Sequence, residues 1–422
     1  MMIAIFFILC FFLIKDFKKT FIIYTPFKFL FTSGIVLYGG ISFDNAISLV
    51  IVFLFFLHGK KFLKHIDNKP QWPLMFSFIL LIISESISAL LDDYNVISIP
   101  LKICRNYAFA FILYYIIQTK DDFKLLIKSL MVYICLLMIN CFAELCGHNF
   151  IGEILQSNMM KTAFFVDTID YGTRGLRLHS FLPHAICFGN VCAIFIAVLF
   201  FLYSENYQKK KCFYCIILLI IGIVLSNSRT PVVALFLYII PVLYKYMKFK
   251  MKVALFILAL TIIYVFSEKI LQTLDGMFVV GSEYATGSSM TMRLEQLEAT
   301  LDIAKNTLWF GLGFNYNLDD YVSELRGAES VWFNLLIYGG IFSVISEVLM
   351  FLQSIFNTTK FKSYNNILWI SIGYFFQQSS TYNSGLNDFL FYFSIIIIMS
   401  YDFLYNSRMK LNYHPQNVKI LK

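Results

Sequence analysis

The chain has 422 residues, 59% of them hydrophobic and only 14% charged, with a formal net charge of +8. A soluble domain carries nearer a quarter charged residues, so a water-soluble globular enzyme is excluded and lipid is the expected solvent. The excess of positive charge follows from where the lysines fall, and no nucleic-acid partner is needed to account for it.

Runs of about 20 apolar residues cross a bilayer as helix. Such runs recur at about 1–14, 20–33, 34–57, 72–91, 97–118, 124–146, 181–203, 213–227, 231–246, 253–270, 331–356, 366–378 and 386–404, which predicts about 12 transmembrane helices once uncertain N-terminal pieces are merged. Met1–Ile14 lacks a cleavage region of small residues and runs into KDFKK, so it reads as a retained first span. The expected fold class is all-α: one polytopic helical membrane domain over 1–422, with a large, partly helical loop at 271–330 inserted in it.

Lysines set the orientation. Lys60, Lys61, Lys64 and Lys69 fall in one connection, Lys120, Lys124 and Lys128 in another, then Lys209–Lys211, then Lys245, Lys248, Lys250 and Lys252, then Lys360 and Lys362. These connections alternate with poorly basic ones, which predicts a cytoplasmic C-terminus. The long connections 147–180 and 271–330 then lie outside, in the periplasm of a cell that has one.

Seven of the 34 basic residues are arginine. Six of them (Arg105, Arg174, Arg177, Arg229, Arg293 and Arg326) fall at or near the outer face, and Arg408 inside. Where a charge merely holds a loop in the cytoplasm, this chain uses lysine. Arginine on the other side points to a planar fork gripping phosphate or carboxylate. The nine cysteines lie mostly inside apolar spans with no CxxC spacing, and read as small hydrophobes.

Inside the outer loop, Leu294, Leu297, Leu301, Ala304 and Leu308 recur at helical spacing, with Glu295, Glu298 and Asp302 on the remaining circumference. That pattern predicts an amphipathic helix resting on an apolar surface, stopped by Gly311 and Gly313.

Arg229 stands in LSNSRTPVVALF, where Pro231 suits a helix start and Ser226, Asn227 and Ser228 can cap it. Such a terminus beside an arginine suits an anion; snorkelling to headgroups is the blander reading. Arg174 and Arg177 precede the span starting near Phe181, where Asp167 and Asp170 could pair with them. His179 and His184 flank that entry; either a hydrogen-bonded structural histidine or a catalyst fits. Arg105, with Lys102, comes nearest to a charge within a span. Arg293 opens the amphipathic helix, where the dipole favours an anionic partner. Glu329, in GAESVW, is a partly desolvated carboxylate suited to a general base, or an ordinary helix-start glutamate. The chain has no HExxH, Walker loop or GxSxG elbow, so metal, cofactor and nucleotide chemistry are not expected.

RLHSFLPHAICFGN, SNSRTPVVAL, MRLEQLEATLDIAKNTLWFGLGF and AESVWFNLLIYGGIFS, in that order, resemble the motifs of the O-antigen polymerase and ligase superfamily over about residues 70–405. The resemblance implies a metal-independent glycosyltransferase of GT-C-like architecture in the bacterial inner membrane, with its active site facing the periplasm. Its donor would be a glycan on undecaprenyl pyrophosphate, held by Arg177, Arg229 and Arg293. Arg229 and Glu329 are then the catalytic candidates, with His184 and Arg105 as secondary ones. In the ligase branch a histidine stands where this chain has Glu329–Ser330, which favours the polymerase (Wzy-type) branch, and with it a chain-length-determining membrane protein as a further partner. The alternatives are an O-antigen ligase and a non-enzymatic flippase or transporter of lipid-linked sugar.

Overall fold

The computed structural model describes residues 1–31, 35–38, 41–63, 79–80, 82–83, 86–87, 90, 101, 103–156, 169–170, 175–246, 290–305, 307–313, 330–380 and 386–405. They are mostly helical. Helices α1 (Met2–Lys15) and α2 (Phe17–Phe27) meet at Asp16, whose carboxylate accepts the Lys19 N–H at 3.1 Å, a side-chain cap of the usual kind. A 3-10 turn at Lys28–Leu30 follows, then an antiparallel hairpin of β1 (Val36–Tyr38) and β2 (Ile41–Ser42), then α3 (Phe43–Leu63). The span expected from 34 is thereby corrected, since its first residues are hairpin.

A π-helical turn at Cys104–Ala108 leads into α4 (Phe109–Ile116). Thr119 then starts α5 (Lys120–Leu145) with a reciprocal capping box to Asp122. After α6 (Phe150–Gln156) and a short ladder of β3 (Ile169–Asp170) with β4 (Gly175–Leu176), three helices follow: α7 (Ala185–Ser204), α8 (Lys209–Ser226) and α9 (Arg229–Tyr246). The chain continues with α10 (Met290–Ala304), α11 (Val331–Phe356), α12 (Tyr364–Ser380) and α13 (Leu386–Tyr405).

Among the described residues, α5, α7 and α11 are long and apolar enough to cross a membrane, and α1, α3, α9 and α13 contain shorter apolar helix. The span expected at 253–270 and most of that at 72–91 lie outside the described residues. Helix α7 is the hub. Ala185, Gly189, Ala193 and Ala197 recur every fourth residue and are all buried, the small-residue stripe that lets helices approach closely in lipid. It packs against α8, α9, α12 and α13. All nine cysteines are free thiols.

The bundle is polar end to end. Lys18 pairs with Asp122 at 2.7 Å, Lys362 with Glu205 at 3.6 Å, and Lys120 lies 4.9 Å from the Tyr405 ring centroid. The turns α1/α2, α4/α5, α7/α8 and α11/α12 and the end of α13 therefore share one lysine-bearing face. The turns before α7 and between α8 and α9 lie at the opposite end.

Candidate anion site at the arginine end

Asn227 ends α8 in the left-handed region at φ 46°, and α9 starts two residues later at Arg229, with Pro231 in its first turn. Ser228 is the hinge of this turn. Its hydroxyl donates to the Ser226 carbonyl at 3.0 Å and accepts from Arg177 Nη2 at 3.1 Å. Arg177, half-buried, is thus tied to the residue beside Arg229, whose side chain is exposed. Helix α7 crosses directly beneath: a Cβ on Gly189 would lie 2.5 Å from Pro231 Cγ and 2.8 Å from Ser226 Oγ.

The segment 177–184 that carries Arg177 is anchored from below. Leu178 N–H donates to the Leu225 carbonyl at 3.1 Å. The Glu144 carboxylate, at the end of α5, accepts the N–H groups of His179 at 3.1 Å and Ser180 at 2.6 Å. Asn140 Nδ2 donates to Asn149 Oδ1 at 2.8 Å and to Ser180 Oγ at 3.3 Å. His179 is buried with Nε2 3.5 Å from Glu144, and burial holds its imidazole below the usual pKa, in the neutral form. His184 is the N-cap of α7, where its Nδ1 accepts the Ile186 N–H at 3.0 Å. With Nδ1 accepting, the proton belongs on Nε2. A cap explains its position without catalysis.

Arg293 reaches a second cluster. Its Nη1 donates to the Ser379 carbonyl at 3.5 Å, and Trp332 Nε1 donates to Ser379 Oγ at 2.9 Å. Helices α9 and α12 are neighbours, and a Cβ on Gly373 would meet the Tyr238 ring at 2.3 Å. Counting about 1.5 Å per residue, Arg229 lies about 14 Å from that crossing and Ser379 about 9 Å. Arg177, Arg229 and Arg293 therefore gather at one end of the bundle, away from the lysines. Arg105 is set into the bundle instead, 3.8 Å from Asp44. Arg174 and Glu329 lie outside the described residues.

Helix α10 does not pack on the protein by its leucines. Its packed side is Gln296, Thr300, Ile303 and Ala304, with Ile303 against Ile337 of α11, while Leu297, Leu301 and Leu308 are exposed. Only Ala304 of the expected stripe is buried. In lipid an apolar face gains nothing by finding a protein partner, and small or polar residues make the interface. Nor do Gly311 and Gly313 stop this helix, which ends at Ala304.

The glycines serve the next feature. Helix α11 is broken at Gly340, at φ 67° and ψ −170°. The segment 308–313 fills the break. Leu312 and Gly313 N–H donate to the Ile337 and Tyr338 carbonyls at 2.8 and 3.1 Å, and Ile341 and Phe342 N–H donate to the Leu308 and Trp309 carbonyls at 2.8 and 3.4 Å. Non-helical backbone at membrane depth persists only where protein satisfies its polar groups, and both halves meet that condition. A Cβ on Gly340 would lie 2.4 Å from the Trp309 carbonyl, and one on Gly311 2.5 Å from Tyr338 backbone.

Residues 214–358 match the O-antigen ligase family model. The match supports the O-antigen polymerase and ligase superfamily. No curated protein matches the chain. The matched segment runs from α8 through α11, so it includes Arg229, the SNSRTP turn, Arg293 and the strapped break, and excludes Arg177 with Asn140, Glu144 and Asn149. Sequence reasoning named Ser228 only as a capping residue, and missed Glu144, Trp332 and Ser379. Glu144 alone left a signal, as the one carboxylate in the apolar stretch 129–146.

Proposed function

We propose that this protein is an O-antigen polymerase of the inner membrane. It would transfer a growing undecaprenyl-pyrophosphate-linked glycan onto a new lipid-linked repeat unit at the periplasmic face. The observation that carries the reading is the hydrogen bond of Arg177 to Ser228, the residue before Arg229, at the end of the bundle that Arg293 reaches and opposite the lysine face. Under the positive-inside rule the lysine face is cytoplasmic, so the arginines face the periplasm, where lipid-linked glycan would be presented.

In this reading the whole chain is one transmembrane domain, and 271–330 is a loop whose helix α10 closes over the substrate. The acceptor sugar hydroxyl attacks the anomeric carbon of the donor. Its C–O bond to the diphosphate breaks, and the lipid diphosphate leaves with the electron pair. Arg177, Arg229 and Arg293 offset the charge that builds on those oxygens, as fixed cations do in transfer chemistry. Glu329 takes the acceptor proton. This scheme uses no metal or cofactor. The polymerase branch is preferred to a ligase because Glu329–Ser330 stands where the ligase branch has histidine.

A strain lacking the gene separates these outcomes. Loss of a polymerase leaves core capped with a single repeat; bare core with accumulated lipid-linked polymer would instead identify a ligase. A flippase reading draws on the Lys28, Asp44 and Arg105 charges set within the bundle, since intramembrane charges mark transport pathways. Elongation in detergent, where no bilayer can be crossed, discriminates against it.

A further inference from the structure

A second cationic group lies on the far side of an aromatic partition from Arg177. Lys28 pairs with Asp44, and Arg105 Nε lies 3.8 Å from the other oxygen of the same carboxylate. Side-chain exposure is 4% for Lys28, 7% for Asp44 and 15% for Arg105. Among the described residues two cations thus share one carboxylate. An uncompensated charge away from water is costly, and among the described residues no second carboxylate lies within ion-pair distance of Lys28 or Arg105.

Neighbouring donors point the same way. Arg105 Nε donates to Asn106 Oδ1 at 3.2 Å, and Nη1 to Asn45 Oδ1 at 3.5 Å. Asn106 is 1% exposed, and its Nδ2, on the amide that Arg105 holds, has no hydrogen-bond partner among the described residues. The hydroxyls of Tyr24, one turn before Lys28, and Ser48, one turn after Asp44, are likewise buried without one. Arg105 and Asn106 both sit on the π-helical turn, a form of helix concentrated at functional sites.

The depth suits a lipid headgroup site reached from the arginine end. Asp44 is about 24 Å from Lys60 along α3, well past the middle of a hydrocarbon core about 30 Å thick. Phe27 and Phe29, on either side of Lys28, pack on Tyr133 at 5.9 and 6.1 Å, and Tyr133 packs on Phe181 at 5.8 Å. Phe181 is four residues from Arg177, so the two cationic groups flank one aromatic wall.

We propose that Lys28, Asp44, Arg105 and Asn106 form a second anion site, which holds the diphosphate of the acceptor lipid while the Arg177–Arg229 site holds that of the donor. The identity of the lipid rests on the polymerase reading above. The test is native mass spectrometry of the full chain in detergent, titrated with farnesyl diphosphate. Wild type is expected to bind two per chain, and Arg105→Gln and Arg229→Ala one each. Asn106→Leu, which leaves every charge in place, guards against misfolding; it should weaken the second binding event about tenfold, the loss of a hydrogen bond to a charged group. One site in wild type, or two in both Arg105→Gln and Asn106→Leu, would overturn the proposal. Two sites in Arg229→Ala would instead sink the donor site and leave this one standing. If excess phosphatidylglycerol displaces only the second ligand, the site serves bulk phospholipid and the acceptor assignment is overturned.

Discussion

At Ser228 two arginines of different origin come close along the chain: Arg177 hydrogen-bonds to its hydroxyl, and Arg229 is the next residue. A lysine could supply either charge but not the planar fork that grips two phosphate oxygens at once. Arg229→Lys is therefore expected to give short or no polysaccharide chains on a gel, as is Arg229→Ala. Wild-type chain lengths in Arg229→Lys would reduce the arginine to a point charge. For Glu329 the decisive change is Glu329→Gln, which keeps the shape and removes the base. Chains should be lost, and unaltered chain lengths would end its assignment as proton acceptor. The preference for arginine away from the lysines was readable directly from residue positions. The supports beneath Arg177 were not: Glu144 stands out as a lone carboxylate in an apolar stretch, but its role depends on receiving two backbone N–H groups from a turn 35 residues away in the chain.

Among elements, the legible ones are those whose character is local. Helices α5, α7 and α11 follow from long apolar runs, and the SNSRTP turn from its capping residues and proline. What escaped depends on partners. The leucine period of α10 correctly indicates a helix, but a period cannot say which face meets protein when the surroundings are lipid. The break in α11 escaped because YGG in an apolar run resembles a small-residue helix contact, and only the distant segment 308–313 makes a break tolerable. Gly340→Ala tests this. Its φ and ψ belong to a region essentially reserved for glycine, worth about 1–3 kcal/mol of strain, and the added methyl collides with the Trp309 carbonyl. The variant should melt at lower temperature in detergent and make little polymer. An unchanged melting temperature together with full-length chains would show that the strap is not required.

At the scale of the whole molecule, the described residues form a bundle around the buried helix α7, with a lysine-bearing face at one end and Arg177, Arg229 and Arg293 at the other. The grouping of Arg177, Arg229 and Arg293 at a single end suits the proposed diphosphate leaving group, and two of the three, Arg229 and Arg293, lie within the segment matching the O-antigen ligase family model. The most direct test is to incubate the purified full chain in detergent with one defined undecaprenyl-pyrophosphate-linked repeat unit and resolve the products by size. The expected result is a ladder of multimers, absent in Arg229→Ala. A lipid-linked repeat that stays a single unit with the wild-type protein, while lipid A core added to the same mixture becomes glycosylated, would contradict it.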